Sequence, residues 1–184
     1  MKISVRDMIL VALFAALMVV GAFVKIPFPI TPLTFQPFFC ALAGVLLGAR
    51  LGALSMTIYV AMGLTGLPVF SQGGGLLYVF TPSFGYLIGF IASAFIIGKL
   101  TEKQKKVTLI KVLSALVVGL IILYGIGIPY TYMILKFYIN KPNAVFFSFT
   151  MVPIILKDLV MYFLIAVITI GILPSLKKAG LIRN

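Results

Sequence analysis

The chain has 184 residues, of which 62% are hydrophobic and only 10% charged, with a mean hydropathy of +1.24. That is too apolar for a soluble domain, and at about 20 apolar residues per crossing the length allows about six membrane spans with no room for a separate nucleotide-binding or catalytic unit. The net charge of +12 comes from 15 Lys and Arg scattered at the ends of apolar runs, the pattern of topological anchors and not of a nucleic-acid surface.

The first span is expected from Val5 to Val24, entered through a possible Ser4 cap and ended by Lys25 and Pro27-Phe28-Pro29. With more spans behind it and no obvious small-residue cleavage site, it reads as a retained helix and not as a signal peptide. Ala12, Ala15, Ala16 and Val19 form a small-residue stripe, suited to packing within the chain or against another one. Lys25 to Phe35, with three prolines, is an extended connection. The second span runs from about Gln36 to Ala49, with Gly44 and Gly48 at GxxxG spacing. A turn at Gly48 to Gly52 leads into a third span ending near Leu67, both spans being short.

Gly63 to Tyr86 holds six glycines, two prolines, two tyrosines and three phenylalanines and no charge. A loop so apolar either covers a ligand, with Gly73, Gly74 and Gly75 offering unobstructed N–H groups, or forms a re-entrant turn under neighbouring helices. The fourth span runs from Phe84 to Lys99 and Leu100, and Thr101 to Lys106 is a hydrophilic loop. The fifth, from Val107 to Ile126, is expected to stop at Gly127 and Pro129, leaving Tyr130 to Asn143 as an interfacial segment. The sixth runs from Phe149 to Leu173, before a basic tail.

With a cytoplasmic N-terminus, Lys2, Arg6, Arg50, Lys99, Lys103, Lys105, Lys106, Lys111, Lys177, Lys178 and Arg183 fall inside, and Lys25, Lys136, Lys141 and Lys157 outside. The expected fold is one all-α membrane domain over residues 1–184, with six transmembrane helices and both termini cytoplasmic.

Chemistry is sparse. There is no histidine and Cys40 is the only cysteine, so an internal disulfide is impossible and the usual zinc and iron ligand sets are missing. No nucleophile has an evident base, and no enzyme activity, metal or cofactor is expected. Of three acids, Asp7 and Glu102 lie at the cytoplasmic edge and read as solvated, whereas Asp158, beside Lys157, is eight or nine residues into the sixth span. An acid at that depth faces a polar cavity or a partner; the alternative is that Lys157 reaches outward and Asp158 pairs locally.

Gly52-Ala53-Leu54-Ser55-Met56, Tyr59, the run from Gly63 to Phe70, Gly73 to Gly75 and Pro82 to Phe90 together resemble the BioY family, the biotin-specific substrate-binding (S) components of energy-coupling factor (ECF) transporters; the likeness is continuous from Thr34-Phe35-Gln36 to Phe90. It implies an S-component fold in a prokaryotic plasma membrane, capture of external biotin under the first and third external loops, and import driven by a transmembrane T component and two ABC ATPases. It also implies docking to the T component through Ala12 and Ala16. Asp158 matches the family's acid, while Lys157 stands in place of a glycine and Met161 where some members have lysine. The ligand residues expected are Thr34, Phe35, Gln36, Tyr59, Gly73, Gly74, Gly75, Tyr78, Phe84, Tyr86, Lys157 and Asp158. Asp158 would accept a ureido N–H, the aromatics would wall the site, and the glycine amides with Lys157 would take the carboxylate. The rival readings are an S component for another vitamin or small ring compound, and a solitary ion-coupled carrier.

Overall fold

The computed structural model describes residues 4–27, 30–102, 108–138 and 144–178, and these are almost entirely helical. Helix α1, Val5–Phe23, starts in a capping box: Ser4 Oγ accepts the Asp7 N–H at 3.2 Å and Asp7 Oδ2 accepts the Ser4 N–H at 3.0 Å. Asp7, expected to be solvated, is therefore buried and capping. Two short strands, β1 (Lys25–Ile26) and β2 (Leu33–Thr34), pair antiparallel and close the Pro-rich connection into a hairpin.

Helix α2, Gln36–Leu64, is broken at Gly48, where φ is +78°. A Cβ on Gly52 would lie 3.2 Å from the Ala43 carbonyl oxygen, an approach impossible along a straight helix, so the two arms run back beside each other. Gly48 thus makes the reversal, the left-handed conformation that glycine tolerates best. Glu102, also expected to be merely solvated, accepts the Ala49 N–H at 3.0 Å and caps the second arm.

After the glycine-rich loop and a 3-10 helix, Leu76–Phe80, come α3 (Phe84–Thr101), α4 (Leu109–Phe137) and α5 (Ala144–Lys178). All five α-helices contain stretches long and apolar enough to cross a membrane. The expected end of the fifth span at Pro129 is corrected: α4 continues through it to Phe137. The helix is held there from outside, because Tyr130 OH donates to the Val79 carbonyl, Thr131 Oγ1 donates to the Pro82 carbonyl at 2.7 Å, and Gly127 lies against the Tyr86 ring. These contacts tie the turn after Pro129 to the glycine-rich loop. The interfacial segment expected from Tyr130 is therefore helical up to Phe137; its last residues, most of the loop after Glu102 and the end of the basic tail lie outside the described residues.

Close approach at glycine organises the rest. Gly21 brings α1 onto the start of α2, Gly44 sets α2 against Ala94 and Ile97 of α3, and Gly89 sets α3 against Leu123 of α4. Without a hydrophobic drive between helices in lipid, such backbone proximity supplies the packing energy. Helix α5 packs on α4 and α2 more loosely, and a Cβ on its Gly171 would meet nothing within 4 Å.

Candidate functional site

The starts of α2 and α3, the later part of α4 and the early part of α5 enclose a chamber at one end of the bundle, roofed by the two loops. Its empty space, counting the mouth open to solvent, is about 480 Å³.

The charged corner belongs to α5. Asp158 is 1% exposed, accepts from Tyr124 OH at 2.6 Å through Oδ2, and forms an ion pair with Lys157 Nζ at 2.7 Å through Oδ1. Lys157 Nζ also donates to the Thr34 carbonyl at 2.6 Å. Adjacent helical side chains diverge by about 100°, yet the long lysine stem folds back far enough to bridge its neighbour and the first loop. Asp158 thus pairs locally with Lys157, which bridges to the first loop and does not reach outward, and both residues lie on the chamber wall.

A hydrogen-bond chain ties the floor to the roof. Thr34 Oγ1 donates to Gln36 Oε1 at 3.2 Å, Gln36 Nε2 to Tyr59 OH at 2.8 Å, and Tyr59 OH to the Val69 carbonyl at 3.1 Å. Lys25 Nζ donates to the Ser71 carbonyl and joins the two loops directly. Above the chamber, the Tyr78 hydroxyl lies 3.0 Å from Ser83 Oγ and 3.4 Å from Ser71 Oγ. Phe70 fills the space over Gly63, with its ring centroid 4.6 Å from that of Tyr78 and 5.5 Å from that of Tyr59. The remaining wall is apolar: Leu87, Phe90, Leu123 and Ile154, with Tyr86 edge-on to Tyr124.

Of the residues expected from the sequence, Thr34, Gln36, Tyr78, Tyr86, Lys157 and Asp158 meet on this wall. The others do not line it. Tyr59 is fully buried behind Gln36, Phe84 packs on Tyr130, and Phe35 is 42% exposed beside Phe38. Two of the three glycine N–H groups expected to cradle a carboxylate are spent within the loop, that of Gly75 on the Gly63 carbonyl at 2.7 Å and that of Gly73 on the Phe70 carbonyl at 3.3 Å. Gly74 and Gly75 border an open groove outside the chamber. Tyr124, Ser71 and Ser83 were not foreseen; the sequence signal for Tyr124 was the one tyrosine of the span expected from Val107 to Ile126. Ala12 and Ala16 sit one turn apart on an exposed face of α1, while Ala15 turns inward.

Membrane-spanning helices around a small, mostly closed chamber with a charged corner define a membrane solute-binding protein. Comparison with known proteins makes this more particular. The model of the BioY family matches residues 1–178, and the chain belongs to that family. A probable biotin transporter BioY of Lysinibacillus sphaericus is 45% identical over 141 residues, covering 77% of this chain and 72% of that one. The biotin transporter BioY of Thermotoga maritima is 38% identical over 166 residues, 90% of this chain and 94% of its own. Among solved structures, the S-component for biotin from an ECF-type ABC transporter superposes with a TM-score of 0.66 at 27% identity, covering 89% of this chain and 88% of that one.

Proposed function

We propose that this chain captures biotin at the outer face of a prokaryotic plasma membrane and hands it on for ATP-driven import as an S component, with no catalytic step of its own. The observation that carries this reading is the Asp158–Lys157–Tyr124 corner set against an apolar wall in a chain of the BioY family. Biotin combines a ureido group, with two N–H donors and one carbonyl acceptor, an apolar thioether ring and a carboxylate tail. Asp158 Oδ2 accepts the Tyr124 hydroxyl, while Oδ1, ion-paired with Lys157 but accepting no hydrogen bond among the described residues, is open to a ureido N–H. Lys157 donates one of its three N–H groups to the Thr34 carbonyl and keeps donor capacity for a ligand oxygen. The rings would lie against Leu87, Phe90, Leu123 and Ile154, and the hydroxyls of Ser71, Tyr78 and Ser83 offer further donors at the roof.

Six crossings follow if the two arms of α2 each traverse the bilayer, which their reversal at Gly48 supports. An even number puts both termini on one side, and the basic residues make that side the cytoplasm. As an S component of this family, its expected partners are a T component and two ABC ATPases, reached through the exposed Ala12 and Ala16 face.

Calorimetric titration of the purified chain with biotin, after exhaustive removal of carried-over ligand, tests the proposal. Saturable one-to-one binding is expected; a monodisperse protein that does not bind refutes biotin as cargo. The reading as an S component for another small ring compound stays in play because Lys157 occupies the chamber wall while Met161 is buried. Identification of a small molecule that co-purifies would decide it. A solitary ion-coupled carrier would instead take up solute in vesicles without any ATPase.

A further inference from the structure

The roof presents a second surface that the capture of a ligand does not use. In the 3-10 helix Leu76–Phe80, Tyr78 turns into the chamber, while Leu76, Leu77 and Phe80 face outward at 73%, 80% and 45% exposure. Leu67, earlier in the same loop, is also half exposed. No charged residue occurs between Arg50 and Lys99, and the exposed polar side chains of this loop are the uncharged Thr65 and Gln72. Four large apolar groups on a charge-free loop are not a water-facing surface.

The neighbouring helix fixes the height of this loop. Phe80 stacks on Tyr138 at 5.1 Å, and Tyr130 and Thr131 bond the carbonyls of Val79 and Pro82, so the short helix lies beside the last turns of α4. Those turns carry Tyr132, Lys136, Phe137 and Tyr138, with Lys136 Nζ over the rings of both Tyr132 and Phe137. Exposed aromatics with a lysine at the end of a membrane helix mark the headgroup level. On the other side, the open groove between Gly74–Leu77 and the last turns of α2 runs from Ala61 and Leu64. It is continuous with the exposed apolar face of α2 at Ile58 and Ala61.

We propose that the 3-10 helix is seated in the outer lipid interface, with Leu76 and Leu77 dipping into the acyl-chain region and a lipid chain occupying the groove beside α2. The occupant is the bilayer itself: the surface is apolar, uncharged, level with an aromatic belt and joined to a lipid-facing helix. The chamber roof is then a lipid-anchored element, with Tyr78 on the ligand side and two leucines on the lipid side.

The chain contains no tryptophan, so Leu77→Trp supplies a single reporter at a position where the side chain is already exposed. In nanodiscs, blue-shifted emission is expected, with strong quenching by lipids brominated high on the acyl chain and weak quenching by aqueous iodide. Water-like emission quenched by iodide and indifferent to brominated lipid overturns the proposal. So does blue-shifted emission that neither quencher reaches, which would place a second protein copy on the roof. Leu76→Trp repeats the measurement should the first variant fail to run as a single species in gel filtration. None of these readouts needs biotin, so failure here is separate from failure of the proposed function.

Discussion

Replacing Asp158 by Asn separates a ligand group from a structural ion pair. The amide keeps one oxygen, so Tyr124 OH retains its acceptor, and Lys157, whose side chain is about a quarter exposed, keeps the Thr34 carbonyl at 2.6 Å. Removing one partner of a fully buried pair costs about 3–5 kcal/mol. Because Lys157 reaches water and holds a second acceptor, the expected loss of stability is smaller, about 1 kcal/mol. Binding has more to lose. A hydrogen bond to a charged group contributes about 1.5–3 kcal/mol against roughly 1 for a neutral one. Loss of the charge should therefore weaken biotin binding by about 1–2 kcal/mol, roughly tenfold or somewhat more.

The assay is calorimetric titration of wild type and variant in the same detergent, paired with thermal unfolding. Tyr124→Phe serves as the comparison, since it removes the 2.6 Å bond that orients the carboxylate and leaves its charge. It should weaken binding less than Asp158→Asn, and in the double variant the two effects should fall short of their sum, because both act through one carboxylate. A lowered unfolding temperature with an unchanged biotin Kd in Asp158→Asn would refute the reasoning and leave Asp158 as a packing group.

Other sites give independent tests. A Cβ at Gly98 would collide with the backbone of Gly48 and Ala49, so Gly98→Val should cost about 1–3 kcal/mol in unfolding experiments, whereas Gly125→Ala, where a Cβ would meet nothing, should be neutral or stabilising. Lys25→Ala removes the clasp on the Ser71 carbonyl; such a part-buried hydrogen bond is worth about 0.5–1.5 kcal/mol, so biotin should dissociate about threefold to tenfold faster in stopped-flow measurements. Bulky residues at Ala12 and Ala16 should abolish ATP-dependent uptake and co-purification with the T component while leaving biotin affinity unchanged, because both lie on the exposed face of α1, away from the chamber.

The helices were legible in the sequence because a backbone in lipid must satisfy its own hydrogen bonds, which leaves run length and breakers as the main variables. The turn at Gly48 was visible in that way, and so was the Ser4 cap. Pro129 was misread because a breaker is a local property, whereas the residues just after it, Tyr130 and Thr131, are bonded to a loop some fifty residues earlier, which no local pattern shows. The chamber divides along the same line. Asp158 could be singled out alone, since its depth is a property of one span; Tyr124 could not, because its role exists only once α4 and α5 are side by side. The glycine triplet fails for a related reason. Gly73 and Gly75, at φ of +121° and +97°, do need glycine, but the backbone conformation they permit spends their N–H groups on the loop's own carbonyls. What those turns achieve is the placement of the 3-10 helix, which sets Tyr78 over the chamber and Leu76 and Leu77 on the far side. Tyr78 and the two leucines share one short helix, so a displacement that takes Tyr78 off the chamber also carries Leu76 and Leu77 with it.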